Sequence, residues 1–196
     1  MIDTYSRLNG KIVRVLSVQW PWSEFLASGI KKVENRTRRL GTNLLGQYVF
    51  IHTSKKISWY AFSYQHVCSS FLNGTNLSLD LKKILCNVLG SNWHNGQKMN
   101  AILKEFNIFP NDIGKIVAMV KFDEIWEPGI NELEGNERIW RAEDQYGLYF
   151  PSAHRLRSPV ETRGALGFWK YDASKFEPVD IGSISQIVSY NETKAA

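Results

Sequence analysis

Ile12-Val13-Arg14-Val15-Leu16-Ser17-Val18, followed within three residues by Pro21-Trp22, sets the reading of this chain. The seven residues are rich in β-branched side chains and partly alternate, the pattern of a strand. Pro21 suits the opening of a helix, because the N–H it lacks would have no intrahelical acceptor there. Trp22, Phe25, Leu26, Ile30 and Val33 then recur at helical spacing, with Gly29 in the same stripe. Working outward, strands are expected at 47–52, 116–122, 146–150 and 167–171. Residues 58–112 read as helical. Leu81, Ile84, Leu85, Val88 and Leu89 form one apolar face, capped by Ser78 and stopped by Gly90. Met99, Ile102, Leu103 and Phe106 form a second face, and Tyr60, Tyr64, Val67, Cys68 and Phe71 a third. The helices cluster instead of alternating with the strands, so the expected class is α+β.

A length of 196 residues fits one domain. We expect it over 1–180, with a helical insertion at about 58–112 and a polar C-terminal tail at 181–196. The stretch 127–145, punctuated by Pro128, Gly129 and Gly135, reads as an acidic loop. A hydrophobic content of 43% argues against disorder. No run approaches the roughly 18 apolar residues of a membrane span. Met1–Gly10 is polar and has no signal-peptide core, so a cytoplasmic chain is expected, with no membrane partner. Cys68 and Cys86 are the only cysteines and read as buried thiols. No metal-binding spacing, dinucleotide or phosphate-loop motif, or nucleophile elbow is present, and neither a metal nor a cofactor is expected.

Charge is unevenly spread. Residues 1–56 hold ten Lys/Arg and three Asp/Glu, a net +7, while 57–196 carry −2. Segment 121–144 has eight acids and three bases. Within 31–39, five bases surround Glu34. On the helix expected there, Lys31 would lie about 180° from Trp22 and point away from the core. Glu34, near the helix end, could pair with Lys31 or Arg36. Such a cluster is either a charge clamp for an anionic ligand or a solvated helix terminus favoured by the dipole.

Several stretches together are similar to the ASCH family. They are Leu16-Ser17-Val18-Gln19-Trp20-Pro21-Trp22 leading into Gly29-x-Lys31-x-x-Glu34-x-Arg36, then Gly46 and Ile51-His52-Thr53-Ser54-Lys55. Gly114-Lys115-Ile116-Val117 and Gly164-Ala165-Leu166-Gly167-Phe168-Trp169 follow. The resemblance covers roughly 12–56 and 114–172. It implies a PUA-like β-barrel, related to YTH and EVE modules, with a helix after the first strand and the helical insertion between barrel strands. It also implies a cleft beside the barrel, lined by Lys31, Glu34 and Arg36, walled by Gln19 and Trp20, with His52 and Lys55 as further members.

Each residue has two readings. Trp20 stacks a base or fills the core. Gln19 reads a base edge or caps the helix. Arg36 binds phosphate or holds Glu34. His52 contacts ligand or is a satisfied core histidine. Lys55 faces phosphate or solvent, and Arg155, Arg157 and Arg163 could extend a basic rim.

The expected function is binding of RNA or a nucleotide-like ligand, with recognition of a modified base, in a basic cleft. The alternative is a nucleoside or RNA hydrolase, acetylcytidine amidohydrolase-like or ribonuclease-like, with Lys31 and Glu34 catalytic. Glu34 stands where the acetylcytidine hydrolases of the family carry a threonine nucleophile, so here Glu34 would activate water. A third class is a regulatory protein whose helical insertion docks a partner.

Overall fold

The computed structural model describes residues 12–73, 75, 77–106, 110–129 and 135–176. The polar start, the 181–196 tail and the middle of the acidic loop lie outside the described residues. The chain is α+β and divides into two compact units. One comprises residues up to 18, 22–55 and those from 112 onward; the other comprises 19–21 and 56–111.

The first unit holds two sheets. Strands β1 (Ile12–Trp20), β3 (Gln47–Ile57), β4 (Lys115–Phe122), β7 (Ala153–Glu161) and β8 (Phe168–Asp172) form one, in the order β7-β4-β3-β1-β8. Strands β2 (Val33–Arg36), β5 (Glu124–Trp126) and β6 (Tyr146–Tyr149) form the other, in the order β2-β6-β5. The alternation expected for 12–18 has a counterpart on both faces of the large sheet. Leu16, Val18, Val49, Ile51, Val117 and Val120 join Leu148 and Phe150 in one core. Val13, Val15, Phe50, Met119 and Tyr171 join Phe176 in a core on the opposite face.

Three strands escape the periodicity reading. β2 and β5 are four and three residues long, too short to show alternation. β7 is an edge strand, which tolerates its Pro159 and its row of arginines.

The helix after β1 is shorter than expected and changes the site. Helix α1 spans only Trp22–Ala27. Gly29 adopts φ 73°, the Ser28 N–H donates to the Glu24 carbonyl, and the Lys31 N–H donates back to the Phe25 carbonyl at 3.0 Å. A left-handed glycine just past the last turn ends the helix and turns the chain. Helical geometry therefore does not extend to residue 31. Lys31 does not face solvent: it is 3% exposed, and Glu34 sits in β2 instead of at a helix end. Ile30, expected in the apolar stripe, is instead exposed.

The second unit is helical, with α2 (Gln65–Asn73), α3 (Leu79–Asn92) and α4 (Gly96–Glu105). Ser78 caps α3 by accepting from the Leu81 N–H, as its sequence position implies. Gly90 does not stop the helix, which runs on to Asn92, and a Cβ there would meet nothing closer than 3.6 Å. Asn95 caps α4 through Oδ1 to the Lys98 N–H at 3.0 Å. Tyr60 and Tyr64 lie in or just after a 3₁₀ turn at Trp59–Ser63, and both are exposed. They belong to no helical core stripe; Phe62 is the buried ring of that turn. Among the described residues, no helix is long and apolar enough to cross a membrane.

Candidate functional site

β2 runs antiparallel to β6, with Glu34 opposite Leu148 and Arg36 opposite Tyr146. Leu148 points into the core between the sheets. Strand alternation therefore puts Glu34, Arg36 and Tyr146 on that inner face, while Val33 and Asn35 lie on the other, where Val33 is fully buried and Asn35 donates to the Trp140 carbonyl. Lys31, brought in by the turn at Gly29, completes the cluster. Its Nζ donates to Glu34 Oε2 at 2.7 Å, and Arg36 NH2 lies 3.2 Å from Glu34 Oε1. Arg36 NH2 also donates to the Ser17 carbonyl at 2.8 Å, tying the small sheet to β1. The three charges converge, with Glu34 between two cations.

Burial is graded across the trio. The Lys31 side chain is 3% exposed, Glu34 10% and Arg36 24%. Burial pushes the Lys31 ammonium below its ordinary value, and attraction and hydrogen bonding to Glu34 oppose that shift. The Lys31 Nζ also lies 5.5 Å from the centre of the Trp22 ring, a cation–π contact. Both carboxylate oxygens of Glu34 are engaged. Arg36 Nε is buried and has no hydrogen-bond partner among the described residues. The cluster thus carries net +1 and a spare donor, which suits an electron-rich or anionic group.

The other expected site residues lie elsewhere. Trp20 belongs to the helical unit, where it is 2% exposed and packs against Trp59, Phe62 and Phe71 with ring centroids 6.1, 5.5 and 5.3 Å away. Gln19 is half-buried in that same unit. Lys55 is exposed, and its stem runs against Gly114. His52 is buried and hydrogen-bonded to Ser17 and Thr162. Arg155 is engaged by Glu24 and Asp112, so it is a held side chain and not a loose basic rim.

The uneven charge also has an internal counterpart. Lys32 pairs with Glu137 at 3.3 Å, and Arg39 with Glu127 at 3.3 Å. Both acids belong to the acid-rich 121–144 stretch, so part of the basic excess of 31–39 is answered within the chain. Two residues beside the cluster escaped the sequence reading. Tyr146 is found only through its register opposite Arg36. Ser17 lies in an ordinary strand run with nothing local to mark it.

The chain matches no protein-family model. It also has no significant match among curated proteins.

Proposed function

We propose that this chain binds RNA or a nucleotide-like ligand, as an ASCH-like protein with a PUA-like barrel, and that it acts in the cytoplasm. The two sheets that share one core would be the walls of that barrel. Two free cysteines suit a reducing compartment. The observation that carries the reading is the convergence of Lys31, Glu34 and Arg36 into a mostly buried cluster of net +1, with a buried Arg36 Nε–H left unpartnered among the described residues. Lys31 and Arg36 would present donors to a phosphate or a base carbonyl, and Glu34 would hold both in place. The engagement of both Glu34 oxygens favours this role over one in which Glu34 activates water.

Fluorescence anisotropy with single-stranded RNA at two salt concentrations tests the proposal. Binding should weaken with salt, because phosphate contacts release counterions. Arg36→Gln should weaken it by about tenfold or more, the loss of one charge-assisted hydrogen bond. Absence of binding at low salt, or an unchanged affinity in Arg36→Gln, would overturn it.

A further inference from the structure

A second polar network lies in the sheet unit and is not explained by ligand binding at the charged trio. Ser17 Oγ is 3.1 Å from His52 Nδ1, His52 Nε2 is 3.3 Å from the Thr162 carbonyl oxygen, and Trp169 Nε1 is 3.1 Å from Ser17 Oγ. The donors and acceptors fix where the protons sit. A carbonyl oxygen only accepts, so Nε2 carries the hydrogen, and in the neutral ring Nδ1 is then an acceptor. Indole N–H only donates, so Trp169 gives its hydrogen to Ser17 Oγ. The Ser17 hydroxyl hydrogen is left to point at His52 Nδ1. A nucleophile, a base and a group that orients the base thus stand in series.

We propose that Ser17 is a nucleophile activated by His52, and that the chain hydrolyses short-chain carboxylic esters through an acyl-Ser17 intermediate.

Three further observations support this. The β3–β4 ladder shifts register at His52: Ile51 pairs with Ala118 and His52 with Ile116, so one extra β4 residue is accommodated opposite this point. Bulges of this kind re-aim side chains and recur beside active sites. Burial holds His52 below its ordinary value against hydrogen bonds to the Thr162 and Gly114 carbonyls, which keeps the ring neutral and able to take a proton. Gly164 packs so closely that a Cβ there would stand 2.6 Å from His52 Nδ1 and 2.7 Å from Ser17 Oγ. Only glycine lets the loop after β7 close over the imidazole, while Ser17 itself stays half-buried. Backbone this close to Ser17 Oγ would leave room for a small acyl group in preference to a long one.

The chemistry closes on itself. Ser17 Oγ bonds to the ester carbonyl carbon as its proton passes to His52 Nδ1. The Thr162 carbonyl holds the resulting imidazolium through Nε2–H. Arg36 NH2 donates to the Ser17 carbonyl and so fixes the backbone of the reacting residue. The carbon–oxygen bond to the alcohol breaks, and the alcohol leaves with the proton from Nδ1. Water then attacks acyl-Ser17, giving its proton to Nδ1. The carboxylic acid departs as Ser17 recovers its hydrogen. Ester and water become acid and alcohol, with no other reactant.

The test uses the full chain, an alkyl fluorophosphonate and p-nitrophenyl acetate. Phosphonylation of the unmodified protein should map by peptide mass spectrometry to Ser17, and the acetate ester should turn over. Ser17→Ala should abolish both. His52→Gln should lower both by at least about a hundredfold, the usual reach of a general base, with an unchanged near-UV circular dichroism spectrum. Label on another residue, or none, in the unmodified protein overturns the proposal whether or not the variants fold. So does retained labelling in a folded His52→Gln. Neither result bears on RNA binding, which is read separately by anisotropy.

Discussion

Replacing Glu34 by glutamine should destabilise the protein severely at neutral pH and less severely in alkali. The amide keeps the shape and removes the charge. Lys31, 3% exposed and 2.7 Å from Glu34, would then be a buried cation without its counter-ion. Removing one partner of a buried pair costs about 3–5 kcal/mol, a large part of the 5–15 kcal/mol that typically separates folded from unfolded chains. The pH dependence follows from the same contact. Burial lowers the Lys31 ammonium and Glu34 pulls it back up; without Glu34 it falls further. In the unfolded chain Lys31 keeps its proton up to its ordinary value of 10.5. Between the lowered folded value and that point the unfolded state binds more protons, so stability rises with pH. The deficit of Glu34→Gln relative to the unmodified protein should therefore shrink between pH 7 and pH 10. Lys31→Met combined with Glu34→Gln should recover most of the loss, because an apolar side chain needs no counter-ion. Guanidinium unfolding followed by tryptophan fluorescence measures all three variants. A Glu34→Gln deficit below about 0.5 kcal/mol at pH 7, the range of ordinary surface substitutions, would refute the reasoning. A deficit that stays the same at pH 10 would refute it equally.

Two further outcomes check other parts of the fold. Trp20→Ala should cost about 3–5 kcal/mol, the range for emptying a large aromatic site, because it removes the ring that Trp59, Phe62 and Phe71 enclose; hydrogen exchange should show the loss first in α2 to α4, and unchanged protection there would contradict the packing described. Burial and the neighbouring Cys86 push the Cys68 thiol up to about 12, so its thiolate is scarce at pH 8. Iodoacetamide should then modify half-buried Cys86 in the native chain and reach Cys68 only after unfolding, and earlier alkylation of Cys68 would contradict its burial.

Much of the architecture was legible because its signals are local. The strand at 12–18 alternates, Ser78 precedes an apolar face, and Met99 with Leu103 repeats at one helical turn. The sequence misleads where a signal has a second meaning. Gly29 fitted the helical stripe by spacing, yet its left-handed backbone ended the helix and turned Lys31 inward. Tyr60 and Tyr64 are four residues apart, as helix neighbours would be, but they belong to an exposed 3₁₀ turn and its exit. In the sequence Trp20 suits base stacking and core alike, and its ring neighbours place it in the core of the helical unit.

The α+β class, most of the strands and helices, and the placing of Lys31, Glu34 and Arg36 within six residues of one another can all be read along the chain. Periodicity and capping operate over one or two turns, and the eye can read them along the chain. Folding is what brings those three charges to a shared buried carboxylate, sets Tyr146 across from Arg36, and puts Ser17 against His52. Those contacts join residues up to 110 positions apart. Strand register and the bulge at His52 set them, and register depends on the packing of whole sheets, not on any one stretch of chain.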